Sequence, residues 1–358
     1  MAVLKGVTTL QESQLIAKNK IRGTIFISVF LFITGFIIAG FLFVLLTGCK
    51  QSASWEHVYY FTTMDTSVEL RFNFSDHEKA VQIKEEVCQE IERLEQLVSR
   101  SSEGSEIAII NQLAGLEPAP VSPETLAVIQ QALQFSVISG GAFDPTVGPL
   151  ISSWGFLDQQ YRIPSEAETA KALALVDYRK VIVDEALSSV YLPEKGMNLE
   201  LAGIAKGFIV DRAVDILNSY NVSEAFINAG GDIALINNQW RIGIRHPRDS
   251  DEIIAVLDLE NGALATSGDY QRFFELNSVR YHHLIDPWTG LPARDLISVT
   301  IIADQVSKAD ALATSIFILG PEEGLILIES LAGVEGVLIT PDLEIICSSG
   351  LTGKLELQ

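Results

Sequence analysis

Cysteine is scarce in this 358-residue chain, which has only Cys49, Cys88 and Cys347. Three thiols without a C-x-x-C pair exclude a disulfide scaffold, a thiolate zinc site and a dithiol redox centre. Cys88 and Cys347 lie in apolar patterns and read as buried thiols. Positive charge is also thin: 25 Lys and Arg stand against 46 Asp and Glu, for a net charge of −21, and no Lys/Arg cluster occurs beyond residue 50. Nucleic acid is therefore not an expected partner, because neutralising phosphates needs a basic face. No Gly/Ser-rich or Pro-rich linker divides the body and no period of 20–50 residues repeats, which argues for one domain and against a repeat array. The remaining composition, 48% hydrophobic and 20% charged, is that of a globular protein and excludes disorder, collagen and coiled coil as the main state.

The N-terminus has a different character. Lys5, Lys18, Lys20 and Arg22 stand against the single acid Glu12, and residues 24–47 carry no charge at all. A basic flank before an apolar run marks a membrane-entering segment. The run closes on Leu46-Thr47-Gly48-Cys49, which looks like a bacterial lipobox, with Cys49 as the lipid-bearing first residue of the mature protein. An uncleaved span is the alternative, since about 20 apolar residues suffice to cross a bilayer. In both readings the body faces the periplasm or the extracellular side. The expected organisation is a leader or anchor over 1–48, a tether over 49–56, a domain over 57–350 and a C-terminal tail over 351–358.

Along the body, His57–Thr63 and Thr66–Phe72 read as strands. Ser75 and Glu78 have capping-box spacing ahead of a stripe formed by Ala80, Ile83, Val87, Ile91, Leu94 and Val98, which predicts a long amphipathic helix. Ser122-Pro123 opens a second helix that stops at Gly140-Gly141, and Ser165 with Glu168 opens a third. Strands are expected at Lys180–Val183 and Ser189–Leu192, then a helix from about Ala202 to Asn218. Short strands follow around Ala225–Asn228, Trp240–Arg245, Ile253–Leu257, Arg280–Ile285 and Ile297–Ile302. Two helices, near Lys308–Leu319 and Pro321–Leu331, and two strands close the chain. The fold class this predicts is α+β, a single mixed domain of short strands packed with helices around a cleft.

Several segments could carry chemistry. Gly140-Gly141 and Gly230-Gly231 stand beside acids, where backbone can approach a ligand or simply turn. Leu201 to Gly207 places small residues and Lys206 at a helix start, a setting suited to an anion, or Lys206 is a plain surface lysine. His282 and His283 alternate across a strand just before Asp286-Pro287, so one can face a cleft while the other faces solvent or core. Asp310 and Thr314 stand four apart on one helical face and offer hard oxygens to a Mg²⁺ ion, or serve as a cap and a buried threonine.

In this order, Met64-Asp65-Thr66, Ser105-Glu106-Ile107, Gly140 to Pro149, Leu201 to Gly207, Asn228 to Asp232, Thr266 to Tyr270, His283 to Gly290 and Asp310 to Thr314 resemble the ApbE family, the FAD:protein FMN transferases. The likeness spans about residues 57–350. It implies binding of FAD with Mg²⁺ on its pyrophosphate, and passage of FMN to a Thr or Ser hydroxyl of an acceptor protein with release of AMP. The implied acceptor is an exported flavoprotein subunit of a membrane redox complex. Met64, Ala142, Phe143, Asp144, Glu200, Lys206 and Ile285 are the implied FAD contacts, and the Gly203 carbonyl, Asp310 and Thr314 the implied Mg²⁺ ligands. His283 is the implied general base, with Asp310 as the alternative base. The chain departs from the family pattern at Asp65, where Gly is usual, at Glu200, where Asp is usual, and at Ser101, where an aromatic residue is usual.

Overall fold

Side chains that alternate along a strand build two cores, one on each face of a single sheet. The computed structural model describes residues 56–358, so Cys49, the expected leader and nearly all of the tether lie outside them. Eight strands form the main sheet: β1 (His57–Thr63), β2 (Thr66–Phe72), β3 (Ala225–Ala229), β4 (Asp232–Ile236), β5 (Gly262–Gly268), β6 (Ser298–Ala303), β7 (Glu335–Ile339) and β8 (Ile345–Cys347). They lie side by side in chain order, and each neighbouring pair is antiparallel.

The helices are α1 (His77–Val98), α2 (Glu106–Gln112), α3 (Pro123–Ile138), α4 (Gly148–Ser153), α5 (Glu166–Leu173), α6 (Ala202–Ser219) and α7 (Val306–Ser330). Ala225, Ile227, Ala234, Ala263, Ala265, Val299 and Ile301 join the core shared with α1, α3, α6 and α7. Phe226, Leu235, Leu264, Ile302 and Val337 point the other way, into a second core. A three-stranded sheet of Trp240–Arg245, Ile253–Leu259 and Leu355–Leu357 covers that face. The period-two pattern thus gives each face its own apolar partner, as a fully buried antiparallel sheet requires. Residues 355–357, inside the expected tail, pair with Ile253–Leu259.

The stripe predicted for α1 is buried along its whole length, but its cap is Asp76, one residue later than Ser75, accepting from Lys79 N–H at 3.2 Å. Ser122 and Ser165 cap α3 and α5 as expected, the latter with a complete capping box. The apolar stretch of α7 is interrupted at Gly320, whose φ of 80° before Pro321 divides it into the two expected helical pieces. By length and composition α7 could cross a bilayer, yet it packs on α6, β5 and β6 as a core helix. The strand expected over Arg280–Ile285 ends at His282 and pairs with Phe273–Leu276 as a hairpin. Beyond it the chain turns so that His283 N–H reaches the Arg272 carbonyl. Cys88 and Cys347 are free and half-buried.

Candidate active site

The site begins where α6 and α7 touch backbone to backbone. A Cβ on Gly207 would lie 2.6 Å from the Val306 carbonyl and 2.7 Å from Ser307, so only glycine permits this approach. Asp211 of α6 fixes the register by accepting from Val306 N–H, Ser307 N–H and Ser307 Oγ at 2.8, 3.0 and 2.6 Å, which caps the start of α7. One turn nearer the N-terminus of α6, a Cβ on Gly203 would stand 3.0 Å from Thr314 Oγ1 and 3.2 Å from Phe143. Gly207 N–H donates to Asp310 Oδ2 at 3.3 Å, and Ser267 Oγ of β5 lies 3.3 Å from Thr314 Oγ1. Side-chain oxygens of α7 and β5 thus meet the backbone of α6 at one corner.

The electrostatics of this corner are unbalanced. Asp310 and Asp232 are 6% and 1% exposed, and Lys206 Nζ meets Asp232 Oδ2 at 2.7 Å. Burial pushes the Asp310 carboxyl above the usual range and the Asp232 charge pushes it further, with Lys206 opposing. Asp232 is raised by burial against the pull of Lys206. For Lys206 burial works downward, but the charges of Asp232 and Asp310 outweigh it and hold the ammonium above its ordinary range. Two carboxylates face one ammonium, and among the described residues the one hydrogen bond to the Asp310 carboxylate is the long one from Gly207. Hard oxygens around a poorly satisfied buried carboxylate fit a divalent cation such as Mg²⁺.

The opposite wall comes from the loop after β5 and the hairpin that follows. His283 Nδ1 lies 3.2 Å from the Arg272 carbonyl, and His283 N–H donates to the same oxygen at 3.1 Å. A carbonyl only accepts, so Nδ1 carries the proton and Nε2 keeps its lone pair. Burial, then the Arg272 and His282 charges, push the His283 imidazole down to about 3, so it is neutral at physiological pH. His282 takes the other face: it is buried edge-on to Phe317, with Nε2 2.7 Å from the Ala293 carbonyl.

These walls border a cleft of about 180 Å³ that opens to solvent at its mouth. Ala142, Phe143, Val147, Ile151, Leu284, Ile285 and Pro287 give it an apolar side, and Asp144 lines it too. Asp144 is committed internally: its carboxylate accepts from Thr146 N–H, Thr146 Oγ1 and Tyr178 N–H. Glu200 is held by Arg100 at 3.0 Å and accepts from Ala202 N–H at the start of α6.

The ApbE family model matches residues 64–338. The chain belongs to the ApbE family. It is 34% identical to the FAD:protein FMN transferase of Treponema pallidum over 76% of this chain and 80% of that one. It is 33% identical to that of Klebsiella pneumoniae over 82% and 92%. Among solved structures, the ApbE protein of Thermotoga maritima superposes with a TM-score of 0.78 at 34% identity, covering 83% of this chain and 98% of that one. The flavin transferase ApbE of Vibrio cholerae superposes with a TM-score of 0.74 at 28% identity, covering 83% and 98%. The mixed α+β architecture is therefore that of ApbE proteins.

For this ApbE member, Ala142, Phe143, Asp144, Glu200, Gly203, Lys206, His283, Ile285, Asp310 and Thr314 all line the one cleft. Met64 is not among its lining residues; it sits in the β1–β2 turn with φ 51°, and the neighbouring Thr66 packs on Gly230. Cys49 lies outside the described residues. Sequence reasoning assigned no chemistry to Asp232, Thr266, Ser267, Gln271 or Arg272. Thr266, Ser267 and Gln271 fall within or directly beside the quoted Thr266–Tyr270 stretch, Arg272 follows Gln271, and Asp232 ends Asn228–Asp232. The available signal was position within a motif, since none of these residues carries a distinctive pattern of its own.

Proposed function

We propose that the chain transfers FMN from FAD to a Thr or Ser hydroxyl of an acceptor protein, leaving a phosphoester-linked flavin and AMP. The observation that carries this reading is that Gly203, Asp310 and Thr314 line the same cleft as a neutral His283. The names of the relatives, FAD:protein FMN transferase, point the same way. Gly203 through its carbonyl, Asp310 and Thr314 would hold Mg²⁺, which when bound supplies charge neutralisation for a diphosphate and for the transferring phosphoryl group. A protein of net charge −21 otherwise repels such an anion.

His283 Nε2 takes the proton of the acceptor hydroxyl as its oxygen forms the bond to the FMN phosphorus and the bond to the AMP oxygen breaks. Nδ1–H, held by the Arg272 carbonyl, keeps the imidazole in the tautomer this requires. Phe143, Ile151, Leu284 and Ile285 exclude water from the reacting end. The acceptor is an exported flavoprotein subunit of a membrane redox complex. The body meets it at the outer face of the membrane, held there by lipid on Cys49 or by a span over residues 24–47.

Incubation with FAD, Mg²⁺ and a candidate acceptor, followed by intact mass, tests the reading. The acceptor is expected to gain one FMN, and Asp310→Asn to lower that rate by roughly 10²–10³-fold. Release of free FMN with an unlabelled acceptor would overturn transfer in favour of hydrolysis.

A further inference from the structure

The cleft has a second pole of charge. On the α6–α7 side, the cations are answered by acid: Lys206 by Asp232 at 2.7 Å and Arg100 by Glu200 at 3.0 Å. Behind the opposite wall, Asp269 holds Arg248 at 2.7 Å and Arg280 at 3.6 Å. Arg272 lines the cleft itself and is exposed. Among the described residues its guanidinium makes one hydrogen bond, from Nη2 to the Phe156 carbonyl at 2.7 Å, and has no carboxylate at ion-pair distance. That bond fixes the arm of the side chain while leaving its charge unanswered.

From this geometry we infer that Arg272 is a phosphate-binding residue, gripping the phosphate of the flavin mononucleotide half from the side opposite the Asp310 corner. The inference rests on the transfer reading above and gives a role to the Arg272 side chain, where that reading uses only the backbone carbonyl. A guanidinium offers planar paired donors matched to phosphate oxygens, and in a cleft partly shielded from water such a bond is about twice as strong as a neutral one. Its position also serves the reaction. The Arg272 carbonyl accepts from His283, so the same residue binds the group to be transferred and orients the base beside it. Phosphate seated on Arg272 thus lies on the same stretch of cleft wall as His283.

The test compares FMN with riboflavin, the same ring system without the phosphate, titrated by calorimetry into the full-length chain with Mg²⁺ present. Arg272→Gln is expected to weaken FMN by tenfold or more while leaving riboflavin within about twofold, and Arg272→Lys to recover part of the loss. The affinity of the unsubstituted chain for FMN should also fall more steeply with salt than that of Arg272→Gln. A role confined to holding the loop at Phe156 would weaken both ligands alike, and that result, or no change for either, overturns the inference. If the unsubstituted chain labels no acceptor yet Arg272→Gln still loses only FMN, phosphate binding stands and the transfer reading falls.

Discussion

Two adjacent histidines with opposite surroundings set the acid behaviour of the protein. His283, pushed down to about 3 by burial with the help of Arg272 and His282, stays unprotonated across the working range. The kcat/KM profile for transfer is therefore expected to lack an inflection near the ~6.5 of a free imidazole. An inflection there would assign the proton to another group. His282 is lowered to about 4, chiefly by burial. Its unfolded form takes up a proton first, so its contribution to stability is complete above about pH 6.5 and is lost as pH falls to about 4, by up to roughly 3 kcal/mol. His282→Gln, which keeps a donor for the Ala293 carbonyl, should shrink the difference between urea midpoints at pH 7 and 4.5. Asp232 and Asp310 act in the opposite sense, since carboxyls raised by burial favour the fold as pH falls.

At the scale of elements, the crossing of α6 and α7 governs the site. Gly207→Ala drives a methyl group into the Val306 carbonyl, a backbone atom that cannot yield cheaply. It is expected to cost about 2–4 kcal/mol and to part Gly203 from Thr314, lowering both the denaturation midpoint and FMN transfer. Asp211→Ala, which strips the cap from α7, should cost about 1–2 kcal/mol in the same measurement. The sequence displayed the helices well, because Ser122, Ser165 and the α1 stripe are local signals that packing respects. Strand β5, Gly-Ala-Leu-Ala-Thr-Ser-Gly, was illegible because its small residues serve close contact with α7 and lack β-branched bulk. Strand β4 escaped for a related reason: Asp232 at its start is polar yet buried on Lys206, a partner 26 positions away. The facing of His283 was half legible, since alternation separated it from His282, but its bond to Arg272 depends on a turn that periodicity does not encode.

For the molecule as a whole, the negative net charge makes cation dependence the largest expected effect. Exhaustive chelation is expected to weaken FAD binding by at least tenfold at low ionic strength, less so in high salt, as measured by flavin fluorescence. Equal affinity with and without chelator would remove the cation from the account. The residues lining the cleft run from Ala142 to Ile318, and its acidic corner waits for α7, the last helix. A polypeptide halted before residue 306 owns most of the apolar wall and Arg272 yet lacks Asp310 and Thr314. On the reading proposed above, tight capture of FAD belongs to the finished chain, and the compartment in which folding ends is the one whose flavin supply it would draw upon.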